Sequence, residues 1–164
     1  MVKLSELTDE NLDKMALEIE ALCDARNADE LYEMIGNVLY NEGLAIADTE
    51  DLQLVPVMYS ADKEDFNIIK IADYVMDTKP ISKNRAKKEG KKFRDKLKKM
   101  ICSNSTITGY FSKDGNLKEG IKFISSILSK TIPISPIILV IIAAAIALIL
   151  KVGINKYCGL PSKN

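Results

Sequence analysis

The chain has 164 residues, enough for one compact domain plus an appendage. It has no histidine, and its three cysteines (Cys23, Cys102, Cys158) form no CxxC pair. This removes Ser-His and Cys-His nucleophiles and argues against a structural zinc site. The formal net charge of zero conceals a split: residues 1–80 hold nineteen acids and six bases, and residues 81–164 hold four acids and seventeen bases. Halves of opposite sign point to separate roles, with the basic half the candidate for a polyanionic partner. An odd number of widely spaced cysteines argues against a disulfide framework, and Cys158 reads as a free thiol. The N-terminus lacks a basic region followed by an apolar run, so a secretory signal is not expected and the soluble part is placed in the cytosol.

Residues 8–25 read as an amphipathic helix. Thr8 is its expected N-cap, Asp9 and Glu10 suit the positive end of the helix dipole, and Leu12, Met15, Ile19 and Leu22 make one apolar stripe. Asn27 opens a second helix with Glu30 completing a capping box, Leu31, Met34, Ile35, Val38 and Leu39 as its apolar face, and Gly43 as its stop. The short connection favours an antiparallel pair. Residues 44–59 give no clear pattern beyond Pro56, which breaks any long helix. A third helix is expected over 63–78 from Asp62, with Phe66, Ile69, Ala72, Val75 and Met76 buried; a strand is the alternative.

Residues 83–99 carry ten bases and two acids, and Phe93, Leu97, Met100 and Ile101 give that helix one narrow apolar edge. Residues 103–120 are rich in turn formers, and Asp114-Gly115 is read as closing a small hairpin flanked by ITGYFS. Residues 117–130 are amphipathic again through Ile121, Ile124, Ile127 and Leu128. They are expected either to lie in a membrane interface or to pack under the soluble part.

Thr131 to Leu150 then carries no charge, and from Ile137 to Leu150 no side chain has a polar group. Twenty residues at about 1.5 Å each reach about 30 Å, the thickness of a hydrocarbon core. Pro136 fits the first helical position, where its missing N–H costs nothing. The competing reading is a helix buried in a soluble core, which needs cover on every side from a large surrounding domain. The membrane reading is therefore preferred, with Pro136, Ile137, Leu139, Ile142, Ile146 and Leu150 in the span. Lys130 and Lys151 bracket it, and Tyr157 is placed at the interface.

The sequence thus predicts a mainly α chain: an acidic helical domain over 1–80, a basic segment over 81–102, and a turn-rich connector with an interfacial helix over 103–130. A transmembrane helix over 131–152 and a short tail over 153–164 complete it. Two features carry function. Lys87, Lys88, Lys91, Lys92, Arg94, Lys98 and Lys99 are the expected contacts to anionic lipid headgroups, a nucleotide or a nucleic acid. The competing reading of that run is a solvated helix, folded back on the acidic half of its own chain. Ala143 and Ala147 form a small-xxx-small pair for helix–helix packing, so a homo-oligomer is expected. Residues 115–122 lack the GK[ST] of a phosphate loop, and the acids at 48–51 and 62–65 lack the spacing of a calcium loop. No enzyme, cofactor or metal is expected. The reading is a single-pass membrane protein whose cytosolic domain controls self-association, as a channel-forming or membrane-disrupting effector in stress or defence. The alternative is a tail-anchored adaptor presenting its acidic module to a cytosolic protein partner.

Overall fold

The computed structural model describes residues 8–47, 49, 52–56, 82–112, 115–132 and 136–159. Helix α1 (Asp9–Ala25) starts where the Thr8 side chain accepts from the Asn11 N–H at 3.2 Å. Helix α2 (Ala28–Asn41) starts on a complete capping box: Glu30 N–H donates to Asn27 Oδ1 at 2.8 Å, and Asn27 N–H donates to Glu30 Oε1 at 3.1 Å. That backbone donor, aided by Arg26, holds the Glu30 carboxyl below its ordinary pKa. The expected stripes are the buried ones: Leu12, Met15 and Ile19 on α1, and Leu31, Ile35 and Leu39 on α2. Gly43, at φ 63°, ends the unit in the left-handed region.

The unclear region after α2 contains a short antiparallel pair, β1 (Leu44–Ile46) and β2 (Leu54–Pro56), with Leu44 opposite Pro56 and Ile46 opposite Leu54. Pro56 closes β2 at its last residue, where a strand tolerates a missing donor. The helix expected over 63–78 lies outside the described residues. Helix α3 (Lys83–Cys102) is capped by Ser82, whose Oγ accepts from Arg85 N–H. It buries Ala86, Gly90, Phe93, Leu97 and Ile101 along one edge.

The hairpin expected around Asp114-Gly115 is corrected. ITGYFS contributes to a short helix, α4 (Ser105–Tyr110), because Asn104 Oδ1 accepts from both Thr106 and Ile107 N–H groups. That cap outweighs the β-preference of Thr, Ile and Tyr. Helix α5 (Leu117–Leu128) buries Ile121, Ile124, Ile127 and Leu128, as its period requires. It packs against α1 and the helix that follows rather than standing apart.

Helix α6 (Pro136–Val152) begins at the proline expected to begin it. It runs for 17 residues, about 26 Å at the usual rise, and among the described residues no helix is long and apolar enough to cross a membrane. The spanning helix expected over 131–152 therefore finds no support in this fold. Instead α1, α2 and α5 lie against α6, and every side chain from Ile141 to Ile149 is buried. The cover thought too small is sufficient because three separate stripes converge on one helix. α3 packs against α2, which also lies against α6.

Gly153, at φ 91°, turns the chain into a last short helix, α7 (Ile154–Tyr157). Cys102 at the end of α3 is disulfide-bonded to Cys158, with a Cα–Cα distance of 5.6 Å. The expectation of a free thiol at Cys158 is thereby corrected; Cys23 is the free, half-buried cysteine. At this same end of α6, Lys151 Nζ donates to the Cys23 carbonyl at 2.9 Å.

Candidate functional site

The two features picked out by sequence occupy different layers. The apolar helix is internal: Ile142, Ala143, Ile146 and Ala147 are all buried, and Leu139 and Leu150 are half-buried. Pro136 and Ile137 form its first turn. The Ala143–Ala147 pair expected to face a second copy is enclosed by the chain's own helices. One stretch of α6 is less covered. A groove of about 810 Å³ runs between α1 and α6, floored by Met15, Leu22, Met34, Leu139, Val140 and Ala143. Val140 is 37% exposed at its edge, with Lys14, Glu18 and Arg26 on the rim.

The basic helix is external. Its buried edge meets α2 at very short range, because two glycines remove the side chains that would hold the helices apart. A Cβ on Gly36 would lie 2.1 Å from the Ala86 carbonyl oxygen, and one on Gly90 would lie 2.2 Å from that of Tyr32. With that edge fixed, Lys88, Lys92 and Lys99 are turned outward and exposed, with Lys98 half-exposed beside them, and Lys91, also exposed, leans back over the Tyr32 ring of α2. These five belong to the expected polyanion set.

The other two members are engaged internally. Lys87 pairs with Asp29 on α2 at 3.4 Å. Arg94 donates to Tyr32 Oη at 2.6 Å, lies 5.2 Å from that ring's centroid, and pairs with Asp95 at 2.8 Å. Burial works against the guanidinium's charge, but its bonds to Tyr32 and Asp95 more than offset this and raise its pKa.

Sequence reasoning missed several anchors. Lys96 donates to the carbonyls of Ala47 and Thr49, tying α3 to the β1–β2 connection. Arg85 lies over the Tyr40 ring and Lys91 over Tyr32, each 5.7 Å from the centroid. Tyr157, expected at a bilayer interface, is buried instead, and its hydroxyl donates to the Arg94 carbonyl at 3.0 Å. Burial pushes its phenol well above the ordinary tyrosine pKa.

The competing reading of the basic run, folding back on the acidic half, holds for part of it. Lys87–Asp29 and Lys118–Asp13 (3.0 Å) join the two halves. Most of the lysines nevertheless face away from α2. The charge split in the sequence becomes a split in space: acids on the exposed faces of α1 and α2, and lysines on the outer face of α3.

Among the described residues no group of three or more Cys, Asp or Glu side chains is placed to hold a metal. The exposed α3 lysines form a positively charged ridge. In α5, which covers α6, the Ser125 hydroxyl is fully buried without a hydrogen-bond partner. No family model matches the chain, and no curated protein or solved structure matches it either.

Proposed function

We propose that the chain is a non-enzymatic membrane-active protein that keeps an apolar helix inside a helical cover and releases it at an anionic bilayer. One observation carries this reading: α6 is apolar on every side and is enclosed on nearly every side. An all-round apolar helix has two low-energy surroundings, a protein interior and a hydrocarbon layer. The same sequence therefore suits both, and exchange between them needs only a trigger that loosens the cover. The uncharged stretch from Thr131 to Leu150 supplies the extra length that α6 lacks, and local thinning of the bilayer supplies the rest. Once inserted, α6 would present Ala143 and Ala147 to another copy, the basis for self-association and a pore.

The outer face of α3 supplies the docking step. Each lysine near an anionic surface contributes about 1 kcal/mol. Replacing Lys88, Lys92 and Lys99 together by alanine should weaken binding to anionic vesicles on the order of a hundredfold. The test mixes the purified protein with dye-loaded vesicles of anionic or zwitterionic lipid. Dye release from the anionic vesicles alone, abolished in the triple variant, supports the reading. Protein that neither sediments with vesicles nor releases dye overturns it.

The groove between α1 and α6 favours a second reading, an adaptor that presents an apolar-floored surface with a mixed-charge rim to a protein partner. Because α6 is the core of the bundle, that module requires residues 136–152 to fold, and a chain cut before them is not a fair probe of partner binding.

A further inference from the structure

We propose that the Cys102–Cys158 disulfide is a redox clasp that decides whether α6 can leave the bundle, an inference that rests on the membrane-active reading above. Cys102 is the last residue of α3, and Cys158 follows α7 immediately. The bond joins positions 56 apart in sequence and so encloses α4, α5, α6 and α7 in one loop. Two further contacts hold the same spot: the buried Tyr157 ring and its hydroxyl bond to Arg94 on α3. The carboxyl end of α6 is thus fixed to the basic helix, by a covalent bond and two weaker ones.

Chain length sets what that bond permits. Six residues run from Val152, the last of α6, to Cys158. Fully extended they span about 20 Å, and the disulfide adds a Cα–Cα distance of 5.6 Å. While the bond is intact, the carboxyl end of α6 stays within about 26 Å of Cys102. A bilayer is about 40–45 Å thick with its headgroups, so thinning by a few Å still leaves the far surface beyond that reach. With α3 held on the near surface by its lysines, the clasped chain cannot carry the end of α6 to the far side.

A dithiol reductant opens it. One thiolate attacks a sulfur of the pair to form a mixed disulfide, and its second thiolate displaces the remaining cysteine. The reductant leaves as a disulfide, and Cys102 and Cys158 become two thiols, with two electrons and two protons transferred. Both cysteines are half-buried rather than enclosed. In a reducing compartment, where the sequence places this region, a disulfide is more often transient or redox-sensing than structural.

The experiment uses the full-length chain with a C-terminal epitope and a Cys23→Ser background to prevent exchange. Oxidised protein, dithiol-reduced protein and the Cys102→Ala/Cys158→Ala variant are compared in two ways. In solution, amide exchange over residues 148–158 should rise at least tenfold on reduction and in the variant. On anionic vesicles, all three should bind, but only the two open forms should protect the epitope from external protease and release dye. Unchanged exchange overturns the clasp whatever happens on vesicles. Equal epitope protection in oxidised and reduced protein also overturns it, while leaving the proposed function standing. Raised exchange with neither dye release nor epitope protection in any form overturns the proposed function, and with it the clasp's role in membrane entry.

Discussion

Helices α3 and α6 are close in length, 20 and 17 residues, and opposite in chemistry. α3 has one apolar edge and gives the rest of its circumference to lysines. α6 has no side for water until Lys151. The first needs cover along one edge and takes it mainly from α2; the second needs neighbours all round and takes α1, α2 and α5. The difference shows that a helix's sequence fixes how many sides must be covered, but not which material covers them. For α3 the cover is settled by glycine contact with α2. For α6 it is settled by the supply of other stripes.

The comparison is broken most severely from inside. Ala144→Asp places a carboxylate in the middle of α6 at a fully buried position. An unpaired buried charge should cost more than about 4 kcal/mol, a large part of a domain's stability of about 5–15 kcal/mol. Urea denaturation should show the cooperative transition lost or strongly shifted. Lys88→Ala on the outer face of α3 should stay within about 0.5 kcal/mol of the parent. If Ala144→Asp unfolds at the parental urea concentration, α6 is not enclosed.

A smaller effect tests the α2–α3 seam. Gly36→Ala and Gly90→Ala each drive a methyl into backbone atoms little more than 2 Å away and should cost about 1–3 kcal/mol. Gly109→Ala meets nothing within 4 Å and should be neutral or stabilising by up to about 1 kcal/mol. The same denaturation series reads all three, and equal midpoints would mean that the helices do not meet on glycine.

The smallest effect appears only at high pH. Burial raises the folded pKa of Tyr157 above the unfolded value of about 10. The fold therefore favours the neutral phenol, and the unfolded chain loses this proton first. The contribution is fully present below pH 10 and is lost as pH rises toward the folded pKa, by up to about 1.4 kcal/mol per unit. Tyr157→Phe should remove that slope, so the stability difference between parent and variant should shrink from pH 8 to pH 11. A constant difference would place Tyr157 in water.

Much of this fold can be read from local pattern. The Thr8 cap, the Asn27–Glu30 box, the stripes of α1, α2 and α5 and the proline start of α6 all rest on contacts within four residues. The surroundings of α6 were not legible, because isoleucine and alanine reveal only an aversion to water, common to lipid and protein interiors. Helix α4 is hard to read because its Thr, Ile and Tyr favour a strand and the helix rests on the Asn104 cap. Ala86 and Gly90 repeat, on a lysine-rich helix, the small-xxx-small spacing of Ala143 and Ala147. Tyr32 and Tyr157 find Arg94 across 62 and 63 residues, and Cys102 finds Cys158 across 56. No spacing rule encodes partners that distant.

The single bond from Lys151 to the Cys23 carbonyl has a wider consequence. The closing turn of α1 has no basic residue of its own, and a helix end leaves four carbonyls without partners. The one cation on α6 completes the end of another helix. Departure of α6 would strip α1 of a partner at its carboxyl end as well as of its apolar floor, so the first helix would fray as the sixth left. Unmasking would then spread through the bundle from one lysine outward, as a chain of coupled losses.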